Sequence, residues 1–498
     1  MDGFVSRRSA PITLLTLLAV HSARAIVGGG PSPCYGELGC FPSDSNYSGN
    51  GRILVPAPQT PEKINVTFWL QTRENREQNQ ILDPYIPSSI KNSNFSTKRL
   101  TILVTHGFTD TGLGGWVYEM CKAILISTDC NCVAVSWVNG SGNIFQYLQA
   151  TSNVRVVGAV IAFFVEQIMK HIDPSYGPCN YTLIGHSLGA HVVGEAGKRL
   201  NPRPCAIVGL DPAKPLFQGT NATVQLDPTD GMKVIAFHTD KVVLGVTGPT
   251  GHCDFNPNGG KIMPGCPEKF LNIELLNSTT PFNLTSVSDA AFCGHRRAYE
   301  YFYESILNCS GFLAFPCKSY ESFVSGSCFP RNKSSNCTYM GFCEVVPCNC
   351  MNRTIDSQEY FLTTGSEPSH FQSWKYKVIL YTQKSQPSLP ILFSATINID
   401  SNEAKFKNLV YGDSHSTFIN LGSQIEPIRT VTFMWNATEI TARTQVGAVN
   451  VTIQVGAVNV TIQVGAVNVT IQSGEGRTFY FCSKGMVDEN TKQALTVC

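Results

Sequence analysis

The segment Gly185-His186-Ser187-Leu188-Gly189 sets a serine hydroxyl between two glycines. A serine hydroxyl attacks a carbonyl carbon only when a base takes its proton and a third group orients that base. Flanking glycines let the backbone turn sharply enough to present the hydroxyl at a strand end. A helix starting just after it favours developing negative charge. Alone the pattern is weak, because it also fits a glycine-rich strand-to-helix turn. Its surroundings raise its weight. The apolar run Tyr181-Thr182-Leu183-Ile184 precedes it and a helical pattern from Ala190 to Leu200 follows. Ser187 is therefore the expected nucleophile of an acyl-transfer reaction.

In hydrolases built on such a turn the remaining groups follow in the order acid, then histidine. Asp211 closes the run Val208-Gly209-Leu210-Asp211, where a carboxylate would reach the same sheet edge. His295, in Cys293-Gly294-His295-Arg296, is the best-placed histidine downstream. Asp227 and Asp230 are rival acids placed in a loop, and His238 and His252 are rival bases that also fit structural roles. An oxyanion hole needs one N–H after the nucleophile and one from an upstream strand-to-helix loop, positions filled by Leu188 and Phe108.

Those residues require a scaffold of strands that end together. Leu100–Thr105, Cys132–Trp137, Tyr181–Ile184, Ala206–Leu210 and Val234–Phe237 are short continuous apolar runs. Helical patterns such as Asn153–His171 lie between them. This alternation predicts an α/β fold of the α/β-hydrolase type with a mostly parallel central sheet covered on both faces. After Trp374 the pattern changes to strands without helices, Lys375–Tyr381, Ile391–Ile397 and Thr430–Trp435, which predicts a β-sandwich. The expected division is a leader over 1–25, a hydrolase domain over 26–370 and a sandwich over 371–498. Within the sandwich a nine-residue unit, Gln-Val-Gly-Ala-Val-Asn-Val-Thr-Ile, begins at Gln445, Gln454 and Gln463. One copy suffices for a strand, so the others are expected to loop out as a hairpin.

Of the 498 residues 43% are hydrophobic and 15% charged, and the formal net charge is +1. Ample core material is present, and long-range charge offers no hold on nucleic acid. Arg7 and Arg8, the apolar Ile12–Val20 and Ala23-Arg24-Ala25 read as a signal peptide, implying a secreted, extracellular protein. No run reaches spanning length, and Val154–Val165 reads as a buried core helix rather than a transmembrane segment. The 19 cysteines suit an oxidising compartment, as do sequons such as Asn46, Asn65, Asn94, Asn221, Asn277, Asn332 and Asn436.

The ordered segments Cys34–Cys40, His106-Gly107-Phe108, Gly185–Ala196, Gly209–Ala213, Phe217–Thr220, Phe255–Gly260 and Met263–Cys266 resemble the pancreatic lipase family along nearly the whole mature chain. The resemblance implies hydrolysis of lipid esters at a water–lipid interface and a PLAT-type C-terminal sandwich. It implies a structural Ca²⁺ held by Asp227 and Asp230 side chains and the Ala222 and Gln225 carbonyls, a donor set of hard oxygens. It also implies that Cys266 and Cys293 clamp a lid. The intervening Phe270, Leu271, Ile273, Leu275, Leu276, Phe282 and Leu284 supply an apolar face that can cover the site or meet lipid. Cys121 with Cys130 or Cys132, Cys317 with Cys328 and Cys482 with Cys498 look like inherited pairs. Cys337, Cys343, Cys348 and Cys350 depart from the pattern, as do Cys179, Cys205, Cys253 and Cys309. For the first four, disulfides are favoured over zinc.

A long lid points to triacylglycerols. The loop Lys241–Thr250, shorter than in triglyceride lipases, points instead to an sn-1 phospholipase or galactolipase, and lid sequons at Asn277 and Asn283 bear on opening. A non-catalytic lipid-carrying, yolk-type protein is the alternative from another class. The sandwich could dock on lipid or on a small colipase-like protein.

Overall fold

The computed structural model describes residues 32–44, 47, 52, 55–110, 112, 115–143, 145–267, 284–329, 338–345, 357–382, 392–410, 414–424, 427–439, 453–455, 458–460, 466–473, 477–483 and 491–498. The expected signal peptide lies outside them. So do lid residues 268–283, the first repeat's Asn450 and the cysteines Cys337, Cys348 and Cys350.

Contacts divide the chain into two units, the first comprising Met1–Asn256, Gly260–Leu307 and Phe342–Gln358. Its strands are β1 (Thr67–Gln71), β2 (Gln80–Leu82), β3 (Leu100–Thr105), β4 (Cys130–Ser136), β5 (Tyr181–His186), β6 (Ala206–Leu210), β7 (Lys233–Phe237) and β8 (Cys253–Pro257). They run side by side in the order β2-β1-β4-β3-β5-β6-β7-β8. From β4 to β8 each neighbouring pair is parallel. β1 pairs antiparallel with both β4 and β2. Strands β4, β5 and β6 are buried at every position, which is why their sequences are continuous apolar runs rather than alternating ones.

Four helices matter for the site: α1 (Trp116–Ser127), α2 (Tyr147–His171), α3 (Leu188–Arg199) and α4 (Leu284–Leu307). Helix α2 is long and apolar enough to cross a membrane, but Val154–Val165 lies inside this unit's core, as a core helix should. It begins at Tyr147 rather than Asn153. Polar residues that interrupt the apolar pattern are tied to the rest of the unit: Ser152 Oγ donates to the Pro56 carbonyl at 2.6 Å and Asn153 Nδ2 to the Gly140 carbonyl at 2.9 Å.

The second unit comprises Pro257–Gly259, Asn308–Gly341 and Glu359–Cys498. The sequence boundary at 370/371 therefore marks where the sandwich strands begin, not where their unit begins. β9 (Phe315–Pro316) pairs antiparallel with β10 (Gln358–Leu362). Phe315, Phe323, Phe329 and Phe361 form a small core onto which Phe418 packs. Aromatic residues so scattered in sequence carry no periodicity, so the pattern could not reveal that they belong together.

The sandwich strands are β11 (Trp374–Thr382), β12 (Leu392–Ile399), β13 (Asn402–Val410), β14 (Ser414–Leu421), β15 (Val431–Glu439), β16 (Ile453–Val455), β17 (Val458–Val460), β18 (Ala466–Ser473), β19 (Thr478–Cys482) and β20 (Gln493–Val497). Their order is β13-β12-β15-β20-β19-β18-β11-β14, closed around Tyr376, Val378, Ile397, Phe433, Trp435 and Ile471. The third repeat copy supplies β18, hydrogen-bonded to β11 and β19. Among the described residues β16 and β17 pair only with each other, Ile453 opposite Val460, so the described part of the second copy forms a ribbon of its own, while all of the first copy but Ile453 lies outside the described residues.

Disulfides join Cys34–Cys40, Cys121–Cys132, Cys266–Cys293, Cys317–Cys328 and Cys482–Cys498. Cys179, Cys205, Cys253, Cys309 and Cys343 are also disulfide-bonded. This density fits an oxidising, extracellular environment. Of the two partners that the family resemblance left open for Cys121, Cys132 takes the bond; Cys130 is free, and burial pushes its thiol up to about 12, which leaves it inert.

Candidate active site

Strand β5 delivers Ser187 and helix α3 leaves from Leu188, the residue after it. Ser187 holds φ 58° and ψ −120°, a strained conformation for a residue with a side chain. The turn is possible because its glycines let backbone meet backbone. A Cβ on Gly185 would lie 2.0 Å from the Gly189 carbonyl oxygen, and one on Gly189 would lie 2.6 Å from the His106 oxygen. The turn is then pinned to its neighbour, for Ser187 N donates to Leu210 O at 3.0 Å and Ala213 N donates to Ser187 O at 3.2 Å. On the other side, the turn after β3 abuts the nucleophile: a Cβ on Gly107 would be 3.4 Å from Ser187 Oγ. Phe108, the next residue, packs edge-on against Tyr147. The two expected oxyanion donors, the N–H groups of Phe108 and Leu188, thus belong to the two backbone turns that flank Ser187.

Asp211 follows β6 with φ 46° and is fully buried. Its Oδ1 accepts from Thr239 N at 2.8 Å and Asp240 N at 3.1 Å, while its Oδ2 faces His295 Nδ1 at 2.6 Å. Three N–H groups converge on this one carboxylate, and its hold on Nδ1 fixes the histidine's tautomer, with Nδ1 protonated and Nε2 left to act as base. His295 comes from α4, and its carbonyl is held by His186 Nε2 at 3.1 Å, the two rings lying 4.5 Å apart. His186 adjoins Ser187, so serine, aspartate and histidine converge at the ends of β5 and β6.

The rivals sit elsewhere. His238 pairs with the buried Asp254 at 2.7 Å, and His252 Nδ1 accepts from Val234 N at 2.9 Å. Sequence reasoning missed Asp240. It lies beside Asp211, and burial together with that neighbouring carboxylate pushes its carboxyl up to about 7. Its only sequence signal is its place just after β7, a second strand ending at the same edge.

Asp227 and Asp230 form one loop with no contact to His295. Asp230 Oδ2 accepts from Lys198 Nζ at 2.6 Å and from Asp227 N at 3.0 Å. Gln225 O accepts from Lys198 Nζ at 2.8 Å. Asp227 Oδ2 and Asp230 Oδ1 are buried without a hydrogen-bond partner. Two orphaned carboxylate oxygens beside the Gln225 carbonyl, itself turned into the loop towards Lys198, are what a hard cation would satisfy. The donor set therefore fits Ca²⁺; Ala222 shows no contact that adds to it.

Three histidines around the nucleophile are kept neutral by burial. The pKa of His106 is lowered, that of His186 lies well below the ordinary value, and that of His191 falls to about 3. His191 Nδ1 accepts from Leu226 N at 3.1 Å, so its Nε2 donates to Ala213 O at 2.9 Å. Below the unfolded-state value of 6.5 the unfolded chain binds protons that these folded sites refuse. Their contribution is complete above that value and lost as pH falls towards the folded value, while the raised carboxyl of Asp240 acts in the opposite direction over the same window, three groups against one around the nucleophile. Thermal unfolding scans between pH 7.5 and 4.5 should show Tm falling steadily below about pH 6.5. A flat Tm to pH 4.5 would contradict the assignment.

Residues 31–371 match the family model described as Lipase. Pancreatic lipase-related protein 2 of Cavia porcellus is 36% identical over 479 residues, covering 93% of this chain and 99% of that one. The Rattus norvegicus protein of the same name is 37% identical over 483 residues, covering 94% and 97%. Pancreatic triacylglycerol lipase of Equus caballus is 36% identical over 491 residues, covering 95% and 98%. The chain belongs to the lipase family. As a lipase it is a serine ester hydrolase on an α/β-hydrolase fold, and the strained serine, the buried aspartate and the histidine of α4 are the groups the family's chemistry needs. The non-catalytic alternative loses its ground, because none of the three is missing.

Proposed function

We propose that this lipase is secreted and hydrolyses triacylglycerols at a lipid–water interface. Ser187 Oγ attacks the ester carbonyl while His295 Nε2 takes its proton, and Asp211 steadies the imidazolium. The oxyanion is held by the Leu188 and Phe108 N–H groups. Collapse expels the glyceride alcohol, protonated by His295, and water then releases the fatty acid from Ser187 by the same steps in reverse.

The observation that carries this reading is the Cys266–Cys293 disulfide. It ties both ends of a long apolar segment just before His295, the arrangement of a lid hinged at the site. Exposed apolar side chains nearby support an interfacial substrate. Phe145 is 67% exposed, and Val138, Val242 and Ile262 are also exposed, all in the connections that follow β4, β7 and β8. Relatives named pancreatic triacylglycerol lipase support the substrate class.

One observation favours the sn-1 phospholipase or galactolipase reading. Lys241–Thr250 is bound down along the chain after Asp211: Lys214 N donates to Leu244 O at 2.6 Å, and Val246 N to Pro212 O at 2.9 Å. A short loop tied this low leaves room for a polar headgroup. Rates on emulsified triacylglycerol and on phospholipid vesicles, each with and without bile salts, separate the two. Triacylglycerol should be cleaved at least about tenfold faster, and phospholipid-only hydrolysis would replace the first reading with the second. Dependence on an added colipase-like protein is read in the bile-salt arm.

The reading includes a structural Ca²⁺. Asp227 and Asp230 would hold it with the Gln225 carbonyl, and Ala222 O is the expected fourth donor. When bound, the ion stiffens the loop behind α3 and takes no part in bond breaking.

A further inference from the structure

Lys198 stands near the end of α3, the helix that starts at Leu188 behind the nucleophile. Its ammonium reaches into the loop that carries the calcium donors. Nζ lies 2.6 Å from Asp230 Oδ2, 2.8 Å from Gln225 O and 3.7 Å from Asp227 Oδ2. Three of the four groups assigned to the ion therefore already face one cation of the protein itself. No other cation pairs with Asp227 or Asp230 among the described residues.

Coordination shows that the ammonium satisfies this loop only in part. An ammonium has three donors, whereas Ca²⁺ takes six to eight oxygens. Asp230 Oδ1 and Asp227 Oδ2 are left buried and unbonded. Both cations cannot share the loop, since Nζ would lie among the ion's own ligands and like charges would repel. Lys198 is 19% exposed at its side chain, so a flexible four-carbon stem has a route outward.

We propose that Lys198 is a tethered counter-ion that holds the Gln225–Asp230 loop closed without calcium and must swing out for calcium to bind. The inference rests on the calcium reading above. Two consequences follow. Displacing Lys198 costs part of the binding energy, so calcium affinity is lower than the oxygens alone would give. The loop also keeps its shape when calcium is withdrawn.

The test uses the full secreted chain, stripped with EGTA, and its Lys198→Met variant, which keeps the stem and removes the charge. Calcium affinity is measured by isothermal titration calorimetry and Tm with and without CaCl₂. Lys198→Met should bind calcium at least tenfold more tightly, unfold at a lower temperature without calcium, and gain more Tm on its addition. Equal or weaker affinity overturns the counter-ion proposal while leaving the calcium site standing. No calcium uptake at millimolar concentration by either protein overturns the calcium reading itself, and the displacement with it. A measurement on the unmutated chain guards against a variant that does not fold. Amine labelling read by mass spectrometry should modify Lys198 several-fold more once calcium is bound, and unchanged labelling at calcium saturation counts against the swing.

Discussion

Replacing Ser187 by Ala is expected to lower kcat/KM on a soluble ester by about 10⁵-fold while leaving the fold intact. The serine is 8% exposed, and its strained φ of 58° is imposed by the strand–helix turn rather than by its hydroxyl. An alanine therefore meets the same backbone strain and loses only the nucleophile. Residual rate would come from the oxyanion donors and from binding. The wild-type chain should also be labelled by a serine-reactive phosphonate, and the variant should not. A wild type that fails to label would return the lipid-carrying alternative, and a loss below tenfold would mean that another group attacks the ester.

Asp211→Asn is expected to cost about 10⁴-fold in kcat with little change in KM. The carboxylate accepts from His295 Nδ1 at 2.6 Å and from two backbone N–H groups. With Oδ1 still claimed by Thr239 and Asp240, an asparagine would turn its amide nitrogen towards His295. That nitrogen repels a protonated Nδ1 and selects the opposite tautomer, leaving Nε2 unable to accept the serine proton. Asp240→Asn is the discriminating control. Its oxygens accept from Val243 N at 3.1 Å and Leu244 N at 3.3 Å, not from His295. Its loss should lower kcat by less than about tenfold, because an asparagine oxygen can keep one of those bonds and the charge near His295 is held by Asp211. If Asp240→Asn were the more damaging of the two, the acid would have to be reassigned to the end of β7.

Much of the site is legible in the sequence. Ser187 and Asp211 both end apolar runs whose residues are buried on two faces, and such runs announce parallel strands by composition alone. His295 was found by order along the chain, since the helix that carries it gives no local sign of its role. Asp240 was overlooked for the complementary reason. Thr239-Asp240 looks like any polar turn, and only the β6–β7 register, with Leu210 opposite Phe237, brings it beside Asp211. Lys198 reads as a helix C-terminal lysine, and the loop it enters lies some thirty residues further on, with Asp230 at a sequence distance of 32.

The same division holds for the chain as a whole. Local chemistry is written in sequence: a glycine-flanked serine, apolar strands and a nine-residue repeat each show in neighbours a few residues away. What joins them is not local. The Cys266–Cys293 disulfide, with a sequence separation of 27, and the transfer of Asn308–Gly341 to the C-terminal unit depend on contacts far apart along the chain. So do the second carboxylate beside Asp211 and the ammonium among the calcium donors. Such contacts leave no periodic trace, because packing selects them only after the strands have found their order. Which residues can do ester chemistry is legible along the chain; which charges stand around them follows only from how the strands and helices pack.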